Sequence, residues 1–498
     1  MRYYAMRREK SPAHEVVVQL QKNLVKDSID RDELSLARLM FNDGFDHKSR
    51  IANGYTALHY AAKKNRLALT EFLLNQGADP YVTDYDAENN HRVCSPTTSF
   101  QCAMLRKNRE IVDLYRSRGV NINWRNERGQ TAVWMAAWSI ESEASIMEYL
   151  IDLGADVNIP SKGGFTPLLS ECLHPAQRRD VIRMLVQAGA DVNTASETGL
   201  TPLLSVMWSS TNIQLSPVVR LLLEHGGRVD SRDVHGRGVL HLRDIPFADQ
   251  QASDSVALVL DYDADINQRD SHGRTPLHYT VDSVIYPKVA ETLLVRGADI
   301  NARDKFGNTP LHMVCRVIDG GYGDKLCLRL LELGADPNLR NDLGDSALHL
   351  TLNCDDPYVN PCLALLKHGS GALAPLSLVV ERQCIDITTK CILCIALLKH
   401  GAVADAKGTA GGTPLLYLVR YHQPPSLEIS PQGVCFRLMV LLLLAHGADV
   451  HATDDNGECA LDLIQAAGAP LMALLEESPE QTRWVEEGLE RMLMGLDL

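Results

Sequence analysis

Apolar residues in this chain come in short bursts of helical period that repeatedly end on glycine. Examples are LIDLG at 150–154, LLEHG at 222–226, LALLKHG at 363–369 and CIALLKHG at 394–401. Glycine at such a point supplies the left-handed backbone that ends a helix. A Gly-Ala-Asp-like stop recurs as GADP at 77, GADV at 154 and 189, GADI at 297, GADP at 334 and GADV at 447. A second motif recurs as a start: TALH at 56, TAVW at 131, TPLL at 166 and 201, TPLH at 275 and 309, SALH at 346 and TPLL at 413. Thr in that motif is a helix N-cap whose hydroxyl accepts from an otherwise orphaned amide, and Pro next to it loses nothing because its missing N–H had no partner. Two apolar-periodic segments lie between each start and the following stop, which predicts two helices per unit.

The TPLH and GADVN motifs resemble those of the ankyrin repeat family, over a stretch from about residue 16 to about residue 475. The resemblance implies an all-α solenoid of stacked helix-turn-helix ankyrin repeats with β-hairpin fingers, used mainly to bind other proteins. Gly44, Gly77, Gly119, Gly154, Gly189, Gly226, Asp263, Gly297, Gly334, Gly369, Gly401 and Gly447 mark 12 units. Asp263 stands where Gly is expected and Gly238 where Thr is expected, so the unit between them is degenerate.

From stop to next start the interval is 12 residues at ten of these positions, so finger length is constant. From start to stop it runs from 21 to 34 residues, with the additions between the two helices, as in VMWSSTNIQLSPVV. Doubling a loop costs only about 0.6 kcal/mol in closure entropy, so this edge is free to drift unless it is a second binding edge. Two fingers break the rule. After Gly77 the interval is 21 residues, and Tyr81, Tyr85, His91 and Arg92 of that finger are within reach of a partner. After Gly369 it is five, which leaves GSGALAP in place of a finger and predicts a bend or weak seam at 369–375. The expected organisation is a flexible basic N-terminus at 1–15, repeat blocks at 16–368 and 376–475 on either side of that seam, and a capping helix at 476–498 that starts at Ser478.

At 498 residues, 45% hydrophobic and 22% charged, the chain has globular composition. A formal charge of −14 argues against general nucleic-acid binding, which needs clustered Lys and Arg. Since no apolar run reaches the roughly 18 residues of a membrane span, the expectation is an intracellular, cytoplasmic or nuclear, monomeric protein without membrane contact and with reduced thiols.

Candidate chemistry is sparse. KCILCIALLKHG at 390–401 contains a Cys-x-x-Cys spacing suited to a redox pair or half a metal site. Yet Cys327, Cys362 and Cys394 each lie seven residues before a stop, in a register that elsewhere holds Val112, Met147, Ile182, Val219, Val256, Ala290 and Val440. That register reads as core, with cysteine as a small hydrophobe. No cofactor or metal is expected. The histidines at 59, 241, 278, 312 and 349 take the fourth place of the start motif, and the resemblance implies that they bond neighbouring loops. Arg125, Arg232, Arg269, Arg303 and Arg340 share a finger register, three of them beside Asp233, Asp270 and Asp304. Such mixed pairs read as a solvated face.

One column stands out. The resemblance places the seventh residue after the start Thr at the exposed end of the first helix, facing the concave groove. That register reads Lys63, Leu105, Trp138, Leu173, Trp208 and Ile245, then Asp282, Arg316, Asn353, Glu381 and Arg420. Five consecutive units carry an apolar residue where water is expected, with Phe165 and Leu200 bordering them from the fingers. The alternative is that the long inter-helix loops cover this row and make it core. The favoured function is a non-enzymatic scaffold or adaptor that binds another protein in this groove. The alternatives are a regulatory or inhibitory subunit of an enzyme or transcription factor, or an accessory protein of a secondary-metabolite pathway of the fungal kind.

Overall fold

A computed structural model of the chain describes residues 12–52, 54–83, 97–138, 144–173, 179–209, 216–242, 249–282, 287–316, 322–353, 359–371, 376–382, 385–408, 411–421 and 431–467. Among these the helices come in pairs. The first pairs are α1 and α2 (Pro12–Arg31, Leu34–Asn42), α3 and α4 (Ala57–Lys63, Leu67–Asn75), α5 and α6 (Ser99–Leu105, Arg109–Ser117) and α7 and α8 (Ala132–Trp138, Ala144–Asp152). Next come α9 and α10 (Pro167–Cys172, Arg179–Gln187), α11 and α12 (Pro202–Met207, Ser216–Glu224) and the single α13 (Asp249–Leu260). The pattern resumes with α14 and α15 (Pro276–Asp282, Pro287–Val295), α16 and α17 (Pro310–Arg316, Tyr322–Glu332) and α18 and α19 (Ala347–Leu352, Val359–Lys367). It ends with α20 and α21 (Leu376–Glu381, Ile387–Lys399), α22 and α23 (Pro414–Tyr421, Pro431–Ala445) and α24 (Ala460–Ala467). The sequence had placed the start of the repeats at residue 16; α1 begins at Pro12. The proposed capping helix at 476–498 lies outside the described residues.

The two helices of a pair bury different amounts. Every residue of α9 and α11 is buried: α9 is packed by α7, α11 and α10, and α11 by α9 and α12. A second helix buries only a stripe, such as Val181, Ile182, Leu185 and Val186 of α10, and keeps its charges on the outer face. All 12 stop residues have φ between +63° and +94°, and the one non-glycine among them is Asp263.

Hydrogen bonds join many of the repeats to the next along two lines. The first starts from the fourth residue of the start motif. His278 Nδ1 accepts from the Thr275 backbone N–H at 3.1 Å, and its Nε2 faces the Asn308 carbonyl, also at 3.1 Å. His312 does the same between Thr309 N–H and the Asp345 carbonyl, and His241 between Gly238 N–H and the Arg274 carbonyl. An acceptor at Nδ1 fixes the neutral tautomer with its proton on Nε2. The second line is the Asn of GADVN. Asn158 Oδ1 accepts from Asp191 N–H at 2.7 Å while its Nδ2 donates to the Gly189 carbonyl, and Asn123, Asn193, Asn267, Asn301 and Asn338 likewise accept from the following stop.

The fingers are tight loops more than strand pairs. Among the described residues only Arg50–Ala52 (β1) and Tyr55–Thr56 (β2) pair as strands; most other fingers close with one backbone bond, such as Asp304 N–H to the Asn308 carbonyl. The chain divides into two compact units, residues 1–234 with 258–264 and residues 235–257 with 265–498. The division falls around the degenerate repeat, with cuts before it at 234/235, within α13 and just after it at 264/265. Without a Thr hydroxyl to cap it, the segment Val239–Leu242 forms turns instead of a first helix. Around the shortened finger, residues 372–375 lie outside the description, but α19 packs on α21 and one apolar core runs from Leu277 to Ile464. The helical core thus continues past the short finger.

Two predictions follow from these backbone and side-chain constraints. A Cβ at Gly334 would meet nothing within 4 Å, so Gly334→Ala should lower the urea-unfolding free energy by backbone strain alone, about 1 kcal/mol, while Asp263→Gly should raise it by a similar amount. Burial lowers the pKa of His241, His278, His312 and His349 below the ordinary 6.5, against the pull of nearby carbonyls and carboxylates. The unfolded chain therefore takes up protons below pH 6.5 that the folded rings refuse, so stability is intact above that pH and falls beneath it. The urea midpoint measured from pH 7.5 to pH 5 should decline accordingly, and His312→Gln should flatten the slope.

Candidate functional site

The apolar row lies at the ends of consecutive first helices in the first unit. Leu105 is the last residue of α5, Trp138 the last of α7, Leu173 the C-cap of α9 and Trp208 the C-cap of α11. Those four helices pack in sequence, so the four positions form a line. Leu105, Leu173 and Trp208 are half-buried, as are Phe165 and Leu200 on the adjoining fingers. In α9 and α11 every preceding residue is buried, so Leu173 and Trp208 are where these helices first meet solvent. The side chain of Trp138 and the whole of Ile245 lie outside the described residues, as do Tyr85, His91 and Arg92. Farther along the register Arg316 and Asn353 are exposed, while Arg420 bonds Asp454 and Glu458.

On the long finger, Tyr81 is tied into the structure. Its ring stacks on Trp124 with centroids 5.7 Å apart, and its hydroxyl accepts from the Asn121 N–H. The finger aspartates are not the solvated groups expected from their sequence proximity to arginine. Asp233, Asp270 and Asp304 are buried. Asp304 Oδ1 accepts from the N–H groups of Phe306 and Asn308, both at 2.8 Å, and Asp270 accepts in the same way from His272 and Arg274. Burial works against ionisation of Asp270, but the Tyr279 hydroxyl and those N–H groups outweigh it and hold the carboxyl below its usual value. Arginines bond carbonyls instead: Arg125 reaches Gly129 and Pro160, and Arg269 reaches Gly273 and Arg303. A carboxylate two and four residues ahead of free N–H groups is better satisfied by them than by a mobile guanidinium.

Comparison with known proteins agrees with this geometry. A model for three ankyrin repeats matches residues 99–196, a single-repeat model matches 53–85 and 306–342, and a model for many copies matches 258–314. The chain is built of ankyrin repeats. Over 113 residues it is 34% identical to palmitoyltransferase AKR1 of Lachancea kluyveri, a span of 23% of this chain and 14% of that protein. It is 24% identical over 148 residues to the putative ankyrin repeat protein FPV034 of fowlpox virus, covering 30% of this chain and 32% of the relative. It is also 31% identical over 116 residues to the human transient receptor potential cation channel subfamily A member 1, covering 23% of this chain and 9% of the relative. The chain thus spans at most 32% of the length of these relatives.

Ankyrin packing also accounts for the cysteines. The nine described cysteines are free thiols, and all but Cys435 are buried. Cys327, Cys362 and Cys394 are at most 1% exposed, as are Val112, Met147, Ile182, Val219, Val256, Ala290 and Val440 in the same register. Burial pushes the Cys394 thiol up to about 12, far from a reactive thiolate. Among the described residues no group of three or more His, Cys, Asp or Glu is placed to hold a metal ion, and no helix is long and apolar enough to cross a membrane.

Three residues in the ankyrin scaffold escaped the sequence reading. Gln101 and Trp134 occupy the place of the motif histidine and do its work: Gln101 Nε2 donates to the Gln130 carbonyl at 3.3 Å and Trp134 Nε1 to the Phe165 carbonyl at 3.0 Å. The shared register was the available signal. Lys390, within the Cys-x-x-Cys stretch, is fully buried, and its Nζ donates at 3.1 Å to the Val380 carbonyl near the C-terminus of α20. A cation there meets the negative end of the helix dipole. Its neighbours along the chain give no hint of it.

Proposed function

We propose that this ankyrin array is a non-enzymatic protein-interaction scaffold or adaptor whose first unit holds its partner along Leu105, Trp138, Leu173 and Trp208. The observation that carries the reading is the row itself. Half-buried apolar side chains recur at the solvent-facing ends of packed helices whose other positions are already filled by core. Large apolar groups left at that depth gain free energy when a partner covers them, and Trp is prominent among residues that dominate binding. Phe165 and Leu200 extend the row onto the fingers. A chain with a net charge of −14 and buried, protonated thiols supports a polypeptide partner over nucleic acid or covalent chemistry. The similarity to a palmitoyltransferase covers 14% of that protein and does not carry its activity here.

The double variant Trp138→Ala with Trp208→Ala, compared with the parent by affinity purification and mass spectrometry, should lose its specific co-purifying protein. Its melting temperature should stay within a few degrees of the parent. Unfolding of the double variant would show that the two side chains belong to the core.

A further inference from the structure

Two cysteines of the second unit lie outside the core register seven residues before a stop, and they meet across neighbouring repeats. Cys391 belongs to α21 of the eleventh repeat, one turn before the core residue Cys394, and Cys435 to the first half of α23 of the twelfth. These two second helices pack on each other. Cys391 is 3% exposed and part of the core of this unit, whereas Cys435 is half-buried and packs against that core from its edge. The two thiols are in hydrogen-bonding contact, with the Cys391 S–H donating to the Cys435 sulfur.

This contact joins a sheltered thiol to one that a small solute can reach. Cys315 and Cys327 also hydrogen-bond, but both are 0% exposed, so an oxidant meets neither while the unit is folded. Burial raises both Cys391 and Cys435 above the ordinary thiol value. On Cys435 the bond from Cys391 works against that rise, so Cys435 is the member of the pair that ionises and attacks. The charge of Asp386, the N-cap of α21, also raises Cys435, and hydrogen bonds from Thr388 and Thr389 hold the Asp386 carboxyl down to about 2. A fixed negative charge beside the reachable sulfur disfavours an anionic oxidant such as glutathione disulfide and leaves a small neutral peroxide as the reagent that suits the site.

We propose that Cys391 and Cys435 are an oxidant-responsive thiol pair, which hydrogen peroxide converts into a disulfide that clamps the eleventh repeat to the twelfth. The Cys435 thiolate attacks one peroxide oxygen and the O–O bond breaks. Hydroxide leaves, takes up the proton that Cys435 gave to solvent, and becomes water, while Cys435 becomes a sulfenic acid. The Cys391 sulfur then attacks the Cys435 sulfur, the S–O bond breaks, and the Cys391 proton departs with the hydroxyl as a second water. Two thiols lose two electrons and one peroxide gains them. The sulfurs end about 2.05 Å apart, and their existing contact already aims one at the other. Cys391 and Cys435 stand 44 positions apart in the chain, so the bond closes a long loop and removes entropy from the unfolded state. The Cys-x-x-Cys spacing thus contains one member of the pair, but its partner comes from the next repeat.

The test treats the reduced full chain, freed of reductant, with hydrogen peroxide, then blocks it with iodoacetamide, digests it with trypsin and maps it by mass spectrometry without reduction. Peptides 391–399 and 421–437, joined and lighter than their sum by two hydrogens, should appear from the parent and from Cys394→Ser. They should be lost in Cys435→Ser and in Cys391→Ala. The cross-linked parent should melt at a higher temperature than the reduced parent, dithiothreitol should reverse the rise, and Cys435→Ser should show none. If Cys391→Ala is already unstable when reduced, Cys435→Ser, altered at a half-buried position, decides the result. Absence of the joined peptides, oxidation that stops at a sulfinic acid on Cys435, or a bond from Cys391 to Cys394 or Cys384 in their place would overturn the proposal. So would a cross-link between two chains, or a cross-linked parent that melts no higher than the reduced one.

Discussion

Much of the structure depends on one recurring bond, from a polar fourth residue of a start motif to the carbonyl just before the next start. His59, Gln101, Trp134, His241, His278 and His312 all reach that carbonyl, from three different side-chain chemistries. The donor is buried, so leaving it unpaired would cost more than the bond itself contributes. It follows that, where the bond forms, a loop can be placed only where its neighbour's donor expects it, which fixes the register of those fingers; Leu169, Leu204 and Leu416 stand at the same place without a donor. The Asn ladder fixes the same register at the base of the fingers, and the left-handed stop residues turn the chain toward it.

Such strict local coupling frees other positions. The fourth residue, the cap and the stop set the geometry, and the ends of the first helices are where the array first meets solvent, at Leu105, Leu173 and Trp208. Cys327, Cys362 and Cys394, which invite a chemical reading, fall instead in a register that is core throughout.

The helix starts, stops and unit count were legible because each rests on local backbone chemistry: a Thr hydroxyl that caps, a Pro that loses no bond, a residue that tolerates positive φ. Even the irregular unit was visible, through Gly238 and Asp263, and the division into two compact units falls around it. The core column was legible too, from the sevenfold offset to the stop. The finger acids were misread because sequence proximity to arginine says nothing about which N–H groups a folded loop will aim at a carboxylate. Asp304 and Asn341 hold equivalent places and do equivalent work, which an ion-pair reading could not anticipate.

By itself the sequence determined the repeat, its capping chemistry and the placement of buried thiols, since all of these follow from spacing along a short-range periodic chain; the row at the helix ends was placed by the resemblance to the ankyrin family. Only the tertiary structure decided how much of each side chain remains in water, and which donors meet which carbonyls across units. Burial and cross-unit bonding are set by residues some 30 positions apart, as in His278 to Asn308, and no local pattern reports them. For the same reason no local pattern marks Lys390, which is buried against the Val380 carbonyl near the end of α20.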